Sequence, residues 1–287
     1  MKKAILVVSF GTTYESTRKL TIDVIEDKIR KRFSDYEIRR AFTAYKIINV
    51  LKTRDKVIVD TPGEALEKLK NEDFEKVIVQ PLHIIPGEEY EFIARIVQKY
   101  NKSFKEIKIG RPVLFYKGIN EEIPDDYDVM VTAIKKILPK DTLSILMGHG
   151  STHWANACYS CLQLVLRENG FNSCFIANVE GYPDFNNVVQ HINKNFVFNK
   201  ESDKKITLIP LMLVAGNHAL VDMAGEEEES WKNILMRLGF NVETYIHGLG
   251  EIEEFQNIYI EHIQDVIDSK YDYTSHKKEE EYECQKL

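Results

Sequence analysis

The sequence predicts an α/β protein made of two copies of one unit, each a parallel sheet flanked by helices. Three observations carry this. Short apolar runs such as Ala4–Ser9, Lys76–Leu82 and Thr142–Gly148 alternate with segments of helical periodicity, as strands buried on both faces do. Setting Phe10 against His149 aligns Gly11 with Gly150 and Thr12 with Ser151. Laying Val79–Glu89 over Leu208–His218 matches Pro81 with Pro210, Leu82 with Leu211, Gly87 with Gly216 and Glu89 with His218. Two echoes in the same order indicate an internal duplication.

Taken in order, Ala4–Ser9 is the first strand. Thr12 and Glu15 have capping-box spacing before a helix whose stripe is Ile22, Ile25, Ile29 and Phe33. Glu37–Phe42 is a strand. Thr61-Pro62-Gly63-Glu64 opens the next helix, with Pro62 at its first position and Ala65, Leu66 and Leu69 on its apolar face. In the strand Lys76–Leu82, Pro81 belongs where the chain leaves the sheet. His83–Glu89 is a loop, Tyr90, Ile93 and Val97 mark a helix, and Glu106–Ile109 is a short strand. Residues 111–126 connect the halves.

The second half repeats the plan. A helix over Val129–Leu138 precedes the strand Thr142–Gly148, and Ser151 can cap a helix bearing Cys158, Cys161, Leu162 and Val165, ended by Gly170. Then come strand Cys174–Glu180, a helix near Asn187–Asn195, strand Lys205–Leu213, helix Trp231–Leu238, strand Val242–His247 and helix Ile252–Ser269. The expected lobes are 1–125 and 126–270, followed by a charged tail, 271–287, expected to be mobile.

Length and charge exclude several classes. The chain has 287 residues, enough for two cores, and a net charge of −7, which leaves nucleic acid no electrostatic footprint. No apolar stretch is long enough to span a membrane, and the opening run is too brief and wrongly followed for a signal peptide. Four cysteines without disulfide-rich spacing point to the cytoplasm.

Chemistry concentrates at strand ends, where open α/β sheets bind ligands. His149, Glu180 and His218 each fall at or just past a strand end of the second half. Any one of them reads as an ordinary hydrogen-bonded loop residue. Together, two imidazoles and a carboxylate form a common ligand set for a divalent first-row metal. The duplication adds Phe10 and Glu89, the counterparts of His149 and His218, and one cleft between the halves would gather all four positions. Glu88 and Glu89 also suit a solvated helix start. His83 either lines the cleft or bonds a neighbouring strand end. Cys158 and Cys161 fit core packing better than redox or metal work. His191, His262 and His276 read as surface residues, and His247 as a distant cleft candidate. The Glu226–Glu229 run reads most simply as a solvated helix terminus, with metal held in transit as the alternative. The turn after the first strand offers backbone N–H groups to a carboxylate ligand, and Arg18, Lys46 and Arg54 are nearby basic candidates.

Six stretches bear a family resemblance: Val-Val-Ser-Phe-Gly-Thr (7–12), Arg-Ala-Phe-Thr (40–43), Leu-His-Ile-Ile (82–85) with Gly-Glu-Glu-Tyr-Glu (87–91), Met-Gly-His-Gly (147–150), Val-Glu-Gly-Tyr-Pro (179–183) and Pro-Leu-Met-Leu-Val-Ala-Gly-Asn-His-Ala (210–219). By these the chain resembles the anaerobic sirohydrochlorin cobaltochelatases, in the class II chelatase superfamily. The resemblance runs from Lys2 to about the last helix and does not include the tail. It implies two Rossmann-like lobes, a chelatase-like fold, with a tetrapyrrole between them. It also implies metal ligation at His149, Glu180 and His218, with Glu89 as a second cleft carboxylate. On this reading His149 and Glu89 are catalytic, and Ser9, Phe10, Gly11, Thr12, His83 and Ile85 contact substrate. Co²⁺ is then a substrate metal, with Fe²⁺ or Ni²⁺ as alternatives, and no organic cofactor is expected. Sirohaem-forming iron insertion and a non-catalytic tetrapyrrole or metal carrier are the competing functions. Self-association is left open.

Overall fold

The apolar runs fold into two four-stranded parallel sheets with the same strand order. In the computed structural model, which describes residues 1–118, 122–140, 142–198 and 204–271, β1 (Lys3–Ser9), β2 (Glu37–Phe42), β3 (Lys76–Pro81) and β4 (Glu106–Ile109) are arranged β2-β1-β3-β4. In the second sheet β5 (Leu143–Gly150), β6 (Cys174–Glu180), β7 (Lys205–Pro210) and β8 (Asn241–Thr244) are arranged β6-β5-β7-β8. The register is duplicated as well. Val8 stands opposite Pro81 and Met147 opposite Pro210. The Leu82 N–H donates to the Val8 carbonyl, and the Leu211 N–H to that of Met147, both at 2.7 Å. Pro81 and Pro210 end their strands, where a missing N–H breaks no ladder.

The helices are α1 (Glu15–Leu20), α2 (Ile22–Arg32), α3 (Tyr45–Val50), α4 (Pro62–Asn71), α5 (Glu88–Lys99), α6 (Asp126–Ile134), α7 (Ala157–Glu168), α8 (Phe185–Asn195), α9 (Trp231–Arg237) and α10 (Glu253–Ile267). Helices α4 and α8 both start in capping boxes, Thr61 with Glu64 and Asp184 with Asn187. Two expected caps are corrected. Thr12 Oγ accepts from the Tyr14 N–H at 3.2 Å, and Ser151 Oγ accepts from the His153 N–H at 3.0 Å. Each hydroxyl closes the turn after a glycine and caps no helix, so even the turn is duplicated. The single helix expected after the first strand is broken at Thr21, whose hydroxyl bonds back to the Thr17 carbonyl at 2.6 Å. α3 runs on into a π-helical turn, Leu51–Asp55, and a second π-helix covers His218–Met223. Neither was expected: β-branched Ile47, Ile48 and Val50 obscure the first, and the second is too short for periodicity to show.

Strand alternation sorts the core into layers. Ala4, Leu6 and Val8 pack on Leu66 and Leu69 of α4 and Ile93 and Val97 of α5. Leu143, Ile145 and Met147 pack on Val188 and Ile192 of α8 and Leu235 of α9. The opposite faces meet in a shared core, where Ile5 and Val7 join Leu146, Leu162 and Phe255. The helix after each fourth strand crosses over: α6 packs on α7, and α10 on α2 and β3. Tyr259 of α10, fully buried, donates to the Leu82 carbonyl at 3.1 Å.

This crossing corrects the reading of His262. It is buried in α10, with Nδ1 3.1 Å from the Arg111 carbonyl and Nε2 3.5 Å from Asp126. Arg111 also bridges Asp126 and Asp265, at 3.1 and 2.9 Å. Burial holds the His262 imidazole below its usual pKa, opposed by Asp126. His191 lies exposed beside Asn195. Among the described residues no helix is long and apolar enough to cross a membrane. The expected tail beyond Tyr271, with His276 and Cys284, lies outside the described residues.

Candidate functional site

Loops leaving the carboxyl ends of β1, β3, β5 and β7 converge on a cavity of about 450 Å³ between the sheets. This is the ligand-binding end of an α/β sheet, and the volume is that of a small-molecule site. Its walls are mostly apolar: Phe10, Ile22, Ile47, Leu82, Ile84, Ile85, Leu211, Leu213 and Val214. Into this apolar space project His83, Glu88, Glu89, His149, Glu180 and His218.

Two glycines make the turns. Gly150 has φ +75°, and a Cβ there would stand 1.5 Å from the Glu180 carbonyl oxygen. Gly11 has φ +92°, and a Cβ would stand 2.5 Å from the Phe42 ring. Only glycine allows these turns to pass so close to the neighbouring strand while holding the left-handed backbone. They leave Phe10 and His149 exposed at equivalent places.

The two histidines meet across the cavity edge. The rings of His149 and His218 are 5.0 Å apart between centroids, with planes at 85°. His149 Nδ1 is 3.0 Å from the Gly150 carbonyl, and His218 Nδ1 is 2.6 Å from Asp222 Oδ2. Each ring therefore keeps Nε2 for another partner. Glu180 lines the same cavity but lies level with Gly150 in the sheet register, one step past His149. Strand alternation does not bring it onto the imidazole pair. Among the described residues, no three His, Cys, Asp or Glu side chains gather closely enough to hold an ion together. The imidazole pair is preformed and the three-residue cluster is not.

The other expected residues divide. Phe10, Gly11, Thr12, His83, Ile85 and Glu89 all line the cavity. Ser9 does not: it is 1% exposed, and its hydroxyl is buried without a hydrogen-bond partner. It sits inside the β1–β2 ladder, paired with Phe42, so only the residues after it reach the cavity. His83 keeps part of its surface accessible, but both ring nitrogens are buried and unpartnered, and burial pushes its pKa down to about 4. It faces the cavity as a neutral ring. His247 points elsewhere, 54% exposed and bonded to Glu251 at 2.7 Å. Arg54 donates to the Thr13 carbonyl at 2.5 Å and pairs with Asp55, which keeps one guanidinium beside the first-lobe turn. Arg18 is nearly buried near Asp23, and Lys46 is exposed. Cys158 and Cys161 lie partly buried against the core, and burial raises both thiols.

Contacts missed from the sequence close the rim. Tyr14 of the first lobe donates to Asn217 of the second at 3.4 Å, and His153 of the second lies 3.1 Å from Glu91 of the first. Tyr14 and His153 are duplication counterparts, so the rim is pinned on both sides by the same device. The signal was their shared position three residues after the turn glycine.

Comparison with known proteins agrees with this architecture. The structure of SirB from Bacillus subtilis with Fe³⁺ superposes with a TM-score of 0.61 at 17% identity, covering 95% of this chain and all of that one. CbiX, described as the terminal enzyme for biosynthesis of sirohaem in denitrifying bacteria, gives 0.50 at 14% identity over 91% of this chain and 98% of that one. These likenesses show the fold. Sequence relatives are nearer. The sirohydrochlorin cobaltochelatase of Salmonella typhimurium is 34% identical over 93% of this chain and 97% of that protein. The sirohydrochlorin cobaltochelatase CbiKC of Nitratidesulfovibrio vulgaris is 30% identical over 91% and 89%. The model of the cobalt chelatase (CbiK) family matches residues 3–268, from the first strand through the last helix, and this chain belongs to that family.

Proposed function

We propose that this protein inserts Co²⁺ into sirohydrochlorin, a step toward cobalamin in its anaerobic synthesis. The observation that carries the reading is the imidazole pair at the edge of an apolar, ligand-sized cavity. The activity for which its relatives are named supports it.

Metal insertion must strip a hydrated ion of its ligands and remove both pyrrole protons. His149 and His218 each offer a ring nitrogen as ligand, and two protein donors leave coordination positions open for the macrocycle nitrogens. Glu180, on the cavity wall outside the pair, adds a third donor to the substrate metal and still leaves positions open for the ring. Glu89 stands where the first lobe has the counterpart of His218; its carboxylate takes one pyrrole proton at a time and passes it to solvent before taking the next. The apolar walls hold the ring face and exclude water, so ring and ion meet in one orientation. The turn Phe10–Thr12, with Arg54 above it, faces the substrate's carboxylates. Ile85 and neutral His83 line the ring pocket.

Ligand type alone does not separate Co²⁺ from Fe²⁺ or Ni²⁺. Purified protein with excess sirohydrochlorin and each metal, without oxygen, tests the assignment through the visible absorbance of the product. Many cobalt products per chain, above the spontaneous rate, are expected. One stoichiometric binding event would make the protein a carrier, and strong preference for Fe²⁺ would move it to sirohaem synthesis.

A further inference from the structure

We propose that Asp222 is a positioning residue for His218, fixing the ring's tautomer and direction so that Nε2 faces the substrate metal. The inference rests on the metal-ligand reading of His218 given above.

The first observation is geometric. The π-helix His218–Met223 sets the two residues four apart, and His218 Nδ1 lies 2.6 Å from Asp222 Oδ2. A carboxylate can only accept, so a neutral ring bonded to it carries its one proton on Nδ1 and leaves the lone pair on Nε2. A ring so held presents one nitrogen in one direction, as metal-ligating histidines with a carboxylate behind them do.

The second observation is the duplication. Counting on from the aligned pair Glu89 and His218, the position of Asp222 is occupied in the first lobe by Ile93. Ile93 is fully buried in the core. The lobe that carries the imidazole carries the carboxylate, and the other has a core isoleucine in its place.

The third concerns energetics. The His218 and Asp222 side chains are 33% and 40% exposed. A pair this open to water adds little to folding stability. Its effect falls on the ring it orients.

The test is Asp222→Asn and Asp222→Ala, each alone and combined with His218→Ala. Co²⁺ binding to the protein without tetrapyrrole is measured by calorimetry. The His218 tautomer in the metal-free protein is read from imidazole ¹⁵N shifts, with circular dichroism as the check on folding. Each single variant should stay folded and bind Co²⁺ about tenfold to hundredfold more weakly, and Asp222→Ala should populate the Nε2-protonated tautomer. In the His218→Ala background neither should cost anything further. Wild-type affinity and tautomer in Asp222→Ala would overturn the proposal. So would an equal loss with His218 absent, which would make Asp222 a ligand in its own right. If His218→Ala alone kept wild-type Co²⁺ affinity, the metal-site reading itself would fall; if only the Asp222 variants did, only the positioning role would.

Discussion

Just past β1 the first lobe carries Phe10, while the second carries His149 at the aligned place, within the end of β5. After the third strand of each sheet the first lobe carries His83, Glu89 and Ile93, and the second Met212, His218 and Asp222. Around these differences the backbones agree in strand order, register, turn glycine and the hydroxyl-closed turn beyond it. The duplicated part is the scaffold that aims side chains at the cleft. The divergent part is the chemistry aimed. On the proposed function, the second lobe holds the metal and the first holds the ring and takes the protons.

The largest test of that division removes one aimed side chain from each lobe. His149→Ala and His218→Ala should each lower turnover at least about a hundredfold, as loss of a ligand or acid–base group does, with circular dichroism unchanged. Phe10→Ala removes only apolar contact and should cost a few-fold. Equal losses from Phe10→Ala and His149→Ala would mean the lobes share the chemistry.

Glu89→Gln sharpens the contrast between Glu89 and His218. It keeps the shape and loses the charge, so turnover should drop about tenfold to a hundredfold. Co²⁺ affinity, measured by equilibrium titration, should stay within a few-fold of wild type. A large fall in affinity would put Glu89 on the metal and erase the difference from His218.

A separate contrast, between His83 and Met212, shows in stability and not in turnover. His83 is held neutral, its pKa pushed from 6.5 to about 4 by burial. The unfolded chain therefore binds a proton that the native state refuses as pH falls from about 6.5 to 4, and stability declines over that window. His83→Met, which copies Met212 into the first lobe, removes the titrating ring. Urea unfolding at stepped pH should show the variant losing less stability between pH 7 and 4, by up to about 3 kcal/mol. Parallel pH curves for the two proteins would show that His83 does not titrate on unfolding.

Much of this was written locally. A strand buried on both faces needs an unbroken apolar run, and a sharp exit needs glycine, so β1, β3, β5 and β7 and their cleft-lining ends were legible from residue type and spacing. Because the duplication is also in the sequence, Phe10, Glu89, His149 and His218 could be assigned to one cleft before any coordinate was known. What depended on approach between distant segments was not legible. Ser9 falls inside a ladder and off the cavity wall, and Glu180 lies one register step past the imidazole pair, because pairing and not sequence spacing sets where each strand ends. His262 looks like a surface residue of a helix until α10 crosses to the first lobe and buries it against Arg111 and Asp126. The π-helix joining His218 to Asp222 is a single turn, too short to leave a period. The sequence determined which strand ends form the cleft and placed Phe10, Glu89, His149 and His218 there, since these follow from local patterns of burial and turning and from the duplication. Tertiary structure alone decided which of them touch, since contact distances depend on packing between segments that no local pattern records.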